Sequence, residues 1–424
     1  MITKTFEIAS GVRLNYIQTD KFKTNYFSFN FITSVNKEKA PYHTMIPRIL
    51  THGSATYPSQ SEIDKRLQFL YSGTIGVRNM TSGKFHIFGL IGNMLNDKYT
   101  LGTPVTDEMI NLLNDVVFNP YLENGAFSEE YTEDEKLELI DQINAEINNK
   151  TSYSLDRCTE IMCENEIFSI KKTGRVEDVA KITPNLLYQA YKTALETYKI
   201  EIYVVGNVDI EKIAHNFKTQ FEKINRTTEK IIDIEIVRSA SEVKRIIEVQ
   251  DVNQGKLCMG FRTGKTIEDG NFHVAQMFNE IYGSSPTSKL FVNVREKRSL
   301  CYTCRSMLTQ KNGIMFVIAG IEPTNKQVAE DAILEQLDEM KNKKISDTEL
   351  ESAKKSLKNA YMNIYDSPAG MELWTLNRGL SGNFDIPNGE AKKLDSVTKE
   401  QISEFANGIT LDTVYFLKGE DNNG

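Results

Sequence analysis

The chain repeats itself at an offset of a little over 210 residues, and this constrains its fold more than any single motif. Ile202–Asp209 reads as a buried strand running into a turn, and Val414–Asp421 reads the same way; Gly206 and Gly419 lie 213 positions apart. Ahead of the first strand, Thr183-Pro184 pairs an N-cap threonine with a proline at the first helical position, where its missing N–H costs nothing. Ahead of the second, Thr398-Lys399-Glu400-Gln401 is a capping box, and the two threonines are 215 apart. Further upstream, Thr132–Glu135 and Ser346–Glu349 read as capping boxes 214 apart, each before a long amphipathic helix. Three signals at nearly one offset predict two copies of one domain. The expected division is residues 1–222, a polar linker at 223–244, and residues 245–424.

Strands and helices alternate irregularly within each half. Lys4–Ile8, Arg13–Gln18 and Asn25–Thr33 are strand-like, and helix material follows around His43–Thr51. Thr106–Phe118 places Met109, Leu112, Leu113, Val116 and Val117 on one helical face, and Leu137, Ile140, Ile143 and Ile147 mark a long helix. Arg245–Asp251 and Lys256–Arg262 open the second half as strands. Several strands with segregated long helices predict an α+β fold.

The composition excludes several function classes. Of 424 residues, 40% are hydrophobic and 25% charged, enough apolar material for a sizeable core without disulfide or metal staples. The net charge of −8 with scattered lysines argues against a nucleic-acid partner. The longest apolar run, Ile314–Ala319, is far short of the ~20 residues that cross a bilayer, so no membrane span is expected. Met1–Glu7 has no apolar core of a secretion signal, which points to the cytoplasm.

Five cysteines fit ordinary reduced thiols. Cys301 and Cys304 form a C-x-x-C, but in a strand-like run where residues three apart are expected on opposite faces. His43, His52, His86, His215 and His273 lie in no H-E-x-x-H or H-x-x-E-H arrangement and read as ordinary surface or loop histidines. Neither a G-x-x-x-x-G-K-[ST] phosphate loop nor a G-x-S-x-G elbow is present.

Ile281–Tyr302 carries the most specific signal. A small-residue loop, Gly283-Ser284-Ser285-Pro286-Thr287-Ser288, leads into a helix expected over Ser288–Lys297 with Leu290, Phe291 and Val294 apolar. Arg295, Lys297 and Arg298 follow, then Leu300-Cys301-Tyr302. Cations at a helix C-terminus are favourable in themselves. The pattern of Gly-rich loop, Ser-x-Leu-Phe, Arg-Glu-Lys and Leu-x-Tyr nevertheless resembles the C-terminal-domain signature of the M16 metallopeptidases, the insulinase, pitrilysin and mitochondrial processing peptidase family. The resemblance covers essentially the whole chain and is nearest to short two-repeat members. It implies two homologous α/β repeats with antiparallel-rich sheets and helices packed on one side. It also implies that Arg295 and Tyr302, seven apart as in the family, bind substrate backbone.

The family's zinc motif is His-x-x-Glu-His, followed by Gly-Thr. Aligning Gly53-Ser54 with that pair places Thr44, Pro47 and Arg48 at the motif positions; aligning on His52 places Arg48, Thr51 and His52 there instead. The family's third ligand is a Glu seven residues after another Glu. Glu135 fits the earlier one, and the ligand position is then Gln142. Cationic Arg and neutral Gln are poor substitutes for imidazole and carboxylate donors. The resemblance therefore implies a subunit that binds no zinc and is inactive alone. It would supply Arg295 and Tyr302 to a zinc-bearing paralogue in a heterodimer that processes peptides. A catalytically silent scaffold and a stand-alone peptide-binding module are the alternatives.

Overall fold

The computed structural model describes residues 1–420; residues 421–424, including Asp421 and the end of the expected second domain, lie outside it. Two sheets carry the repeat. The first contains β1 (Lys4–Ala9), β2 (Val12–Gln18), β3 (Thr24–Ser34), β4 (Thr74–Ser82), β5 (Phe85–Leu95) and β6 (Lys199–Gly206), in the order β1-β2-β6-β3-β5-β4. The second contains β7 (Lys244–Val249), β8 (Gly255–Arg262), β9 (Thr303–Leu308), β10 (Ile314–Ile321) and β11 (Thr410–Lys418), in the order β7-β11-β8-β10-β9. Without β1 the two orders are the same. The one parallel pair also recurs, as β2 with β6 and as β7 with β11, among otherwise antiparallel ladders. The architecture is the expected α+β repeat.

Strand β3 shows how sequence sets the layers. Its side chains alternate between faces because successive Cβ atoms point to opposite sides. Phe27, Phe29 and Phe31 enter the main core with residues of the Ala40–His52, Thr106–Phe118 and Ile210–Phe221 helices. Tyr26, Ser28, Asn30 and Ile32 face the other way, where the Pro368–Leu380 helix brings Met371, Glu372 and Leu376.

That helix belongs by sequence to the second repeat, yet it packs in the first compact unit, made of Met1–Asn144, Ile170–Asp233 and Tyr365–Phe384. The second unit is Ala145–Ser169, Ile234–Ile364 and Asp385–Gly424. There the Lys150–Met162 helix, from the first repeat, lies on β8 and β11. The units are therefore not the contiguous spans 1–222 and 245–424: each takes one helix from the other repeat. The cause is the sheet itself, whose second face needs a cover that its own repeat does not provide. Gly260 is the mark of that contact in β8, because a Cβ there would sit 2.6 Å from Met162 Sδ.

Within the first unit the borrowed helix is held by a buried ion pair. Arg78 Nη1 and Nη2 donate to the two carboxylate oxygens of Glu372 at 2.6 and 2.8 Å, and Arg78 also reaches Asn30 Oδ1 and the Tyr26 hydroxyl. Ser28 Oγ donates to Glu372 as well, at 2.8 Å. Buried charges of this kind persist only when paired and fully hydrogen-bonded.

Local signals differ in outcome. Thr183, Ser346 and Thr398 cap their helices, the last two as full capping boxes. Thr132 does not: the helix starts at Glu129, and the Thr132 hydroxyl donates back to Ser128 O. That helix buries Thr132, Glu135 and Leu139, whereas Leu137 points out at 62% exposure and Ile147 is also exposed. Of the expected stripe, Ile140 and Ile143 pack half-buried against the core, while Leu137 and Ile147 turn out and Glu135 faces inward to meet a cation.

Candidate functional site

The helix Ala40–His52 presents the expected motif positions. Pro47 lies inside it and is buried, with no N–H to give His43 O and no group that could act as a base. Arg48, one residue on, points at the Glu129–Ala145 helix. Its Nη1 donates to Glu135 Oε2 at 3.2 Å, and its Nη2 donates to Gln142 Oε1. His52 Nε2 lies 2.8 Å from the other Glu135 oxygen. The structure therefore brings together Arg48, Gln142, Glu135 and His52, which sequence placed on two separate helices.

The chemistry of this cluster does not fit zinc. A divalent cation would meet a guanidinium already donating to both side-chain oxygens on the facing helix, and the positive charge there is covalently tethered. Among the described residues, no group of three or more His, Cys, Asp or Glu is placed to hold a metal ion.

Thr44, at the remaining motif position, ends a buried hydrogen-bond chain that the sequence did not reveal. Asn79 Nδ2 donates to Thr44 Oγ1 at 2.7 Å, and that hydroxyl donates to Lys172 O at 2.8 Å. Asn79 Oδ1 must then accept from His86 Nε2, 2.7 Å away. His86 Nδ1 is left as an acceptor for His43 Nδ1–H at 3.0 Å, and His43 Nε2 accepts the Tyr198 hydroxyl at 3.1 Å. One tautomer assignment satisfies every link with both rings neutral. Burial holds His43 well below the usual imidazole range and pushes His86 down to about 3. His43 and His86 are thus core residues rather than surface or loop ones. The two are 43 positions apart, on a helix and on β5, so no local spacing could have joined them.

Arg295 and Tyr302 flank a turn in the second unit. The expected Ser288–Lys297 helix is wound as a π-helix over Leu290–Lys297, following another π-helical turn at Glu280–Ser284. Such winding is uncommon and often occurs at functional sites. Ser299, in the left-handed region at φ 51°, ends it, and Ser299 N and Leu300 N donate to Arg295 O and Val294 O. The Arg295 guanidinium lies 4.5 Å from the centre of the Phe291 ring, with its Nε 3.6 Å from Glu296. Tyr302 is fixed by its backbone N–H to Gly320 O at 2.9 Å, and its hydroxyl donates to Glu322 at 2.8 Å. Both side chains are open to solvent, Tyr302 at 59% exposure.

Comparison with known proteins settles the lineage. Residues 181–357 match the family model described as Peptidase M16 inactive domain. Over 413 residues the chain is 31% identical to the "Probable inactive metalloprotease YmfF" of Bacillus subtilis, covering 97% of this chain and 96% of that one. The chain belongs to the M16 peptidase family. Another M16-like relative, the "Uncharacterized zinc protease YmxG" of the same organism, is 23% identical over 78% of this chain and 79% of its own. Among solved structures, a conserved protein from Enterococcus faecalis superposes with a TM-score of 0.91 at 27% identity, covering 99% of both chains. This M16 member is therefore a homologue of an inactive metalloprotease, in keeping with the Arg48 cluster. No helix among its described residues is long and apolar enough to cross a membrane.

Proposed function

We propose that this chain is the non-zinc, substrate-binding subunit of a heterodimeric M16 peptidase. A zinc-bearing M16 paralogue carries the metal, and this chain binds none. The observation that carries the reading is a contrast within one intact fold. The motif positions in the first unit are filled by a self-neutralised Arg48–Glu135–Gln142 cluster. The Arg295–Tyr302 turn of the second unit remains solvent-facing, with Arg295 N–H groups open and the Tyr302 hydroxyl held only by the exposed contact to Glu322. Arg295 donates to a substrate carbonyl or to the oxyanion that develops from it, and Tyr302 adds a second donor. Donors aimed at developing charge lower the barrier without any ionisable base in this chain. Bacillus subtilis holds both an inactive-type and a zinc-type relative, which supports a division of labour. The reading places the protein in the cytoplasm.

A scaffold role is the second reading, and one observation favours it: Arg295 and Tyr302 already have acidic neighbours in Glu296 and Glu322. Co-purification with a zinc-bearing paralogue of similar length, followed by a peptide-cleavage assay of each chain alone and of the pair, separates the two. Cleavage only by the pair supports the subunit; assembly without any gain in cleavage supports the scaffold.

A further inference from the structure

A cavity of about 130 Å³ lies in the second compact unit, at the opposite end of β9 from Tyr302. The helix Phe272–Asn279 and the π-helical turn Glu280–Ser284 form one wall. The end of β9 forms another, and the Asp347–Asn363 helix closes the side with Leu357. Phe272, Leu308 and Leu357 make the lining partly apolar, and Gln276, Glu280 and Gln310 give it polar groups.

The walls are fixed by hydrogen bonds and close packing. Asn279 Oδ1 accepts from Ser306 Oγ at 2.7 Å, which ties the helix end to β9. Gly283 lets the π-turn close on that strand, since a Cβ there would lie 2.6 Å from both Leu290 Cδ1 and Ser306 Oγ. The turn also sets the carboxylate: Ser284 Oγ donates to Glu280 Oε2 at 2.5 Å, and Ser285 Oγ to Glu280 O at 3.1 Å.

Glu280 is the exception among the buried acids. Glu135 meets Arg48, Glu201 meets Arg13, and Glu330 meets Arg245. Glu372 meets Arg78, Glu390 meets Lys393, and Asp412 meets Arg262. Glu280 is 8% exposed, yet among the described residues it forms no ion pair, and its Oε1 accepts no hydrogen bond. A carboxylate so far from water calls for a cation or for several donors. This one has a single hydroxyl, and it lines a cavity.

We propose that the cavity is a binding site for a small organic cation, a primary ammonium or guanidinium on a short apolar stem, with Glu280 as its counter-ion. The cationic head donates to Glu280 Oε1, and the Gln310 side-chain amide offers a further acceptor. The stem lies against Phe272, Leu308 and Leu357. The volume is close to the room benzene takes in an apolar cavity, so the ligand has about five or six non-hydrogen atoms. A divalent metal is a poorer occupant, because one carboxylate among neutral amides leaves much of its charge uncompensated. Lysine and arginine side chains carry the required chemistry, and so do free amines. The proposal is independent of the role given to Arg295 and Tyr302.

The test titrates the intact chain with n-butylammonium chloride, read by saturation-transfer NMR. n-Pentanol and butyrate, of matching size but neutral or negative, are the controls. Saturable binding of butylammonium on the order of millimolar or tighter is expected, and none of either control. Glu280→Gln keeps the size, removes the charge and should weaken binding by about tenfold or more. Leu357→Trp fills the cavity and should abolish binding with Glu280 still in place, so the outcome does not rest on one variant. Circular dichroism confirms that each is folded. Nα-acetyl-lysine N-methylamide identifies the source: affinity equal to butylammonium assigns a peptide side chain, and exclusion assigns a free amine. No saturable binding of butylammonium, equal binding of pentanol, or unchanged binding in either folded variant overturns the proposal.

Discussion

Arg48 Nη1 lies 3.2 Å from Glu135 Oε2, so the helix that the resemblance sets against the family's zinc motif carries a fixed positive charge. A guanidinium never gives up its proton in this setting and cannot turn into a ligand. Purified protein should therefore hold well below one zinc per chain by elemental analysis, even after incubation with the metal. About one tightly held zinc, released on changing His52 or His43, would contradict this.

Removing one partner of the buried Arg78–Glu372 pair should be costly, because the other charge is left without compensation. Glu372→Ala is expected to lower stability by about 3–5 kcal/mol in urea unfolding. Replacing both residues with methionine should recover much of that loss, since packing then substitutes for the pair. An alanine variant with an unshifted midpoint would mean that the helix Pro368–Leu380 is held by other contacts.

Stability should fall with acidification, and the sign follows from His43 and His86. Both folded-state values lie below the ordinary 6.5. Below pH 6.5 the unfolded imidazoles take up protons that the folded ones refuse, so protons favour unfolding down to about 3 for His86. At pH 5 the loss is about 2 kcal/mol for the His86 ring, and His43 shifts stability in the same direction. Replacing His86 with Phe should flatten the dependence of the urea midpoint between pH 6.5 and 5. An unchanged slope would assign the acid sensitivity elsewhere.

In the proposed pairing with a zinc-bearing paralogue, Arg295→Ala or Tyr302→Phe should lower kcat by ~10²–10³ while leaving that assembly intact. In the isolated chain the same changes should cost about 1 kcal/mol or less, because both side chains are solvent-exposed. Unchanged cleavage in an intact assembly would favour the scaffold. Loss of assembly alone would make Arg295 an interface residue.

Limited proteolysis should cut first within residues 234–237. Asp233 is tied to Lys84 in the first unit, and Arg238 to Gly264 and Asp269 in the second. The stretch between them has no regular structure and is exposed or half-exposed. N-terminal sequencing of the fragments checks the position.

What the sequence made legible was governed by local chemistry. The strand-like run that becomes β3, the apolar stripe of Thr106–Phe118, and the caps at Thr183, Ser346 and Thr398 are decided within a few residues, and each matches the structure. The lack of a His-x-x-Glu-His run in the Ala40–His52 helix was readable because a motif with fixed spacing exposes its own gaps. The features that escaped depend on distant partners. Thr132 looked like a cap until Ser128 proved to lie before it and the helix began earlier. Leu137 looked buried until Glu135 turned inward to Arg48. The His43–His86 contact needs β5 laid beside a helix.

The exchanged helices have a consequence for how this protein is made. When the ribosome has delivered only the first repeat, the face of β3 bearing Tyr26, Ser28 and Asn30 is bare, with Arg78 lacking its carboxylate, until residues 365–384 emerge. The first unit therefore matures late, after most of the second has been synthesised. A gene cut at the linker yields two incomplete products, and neither is a finished half.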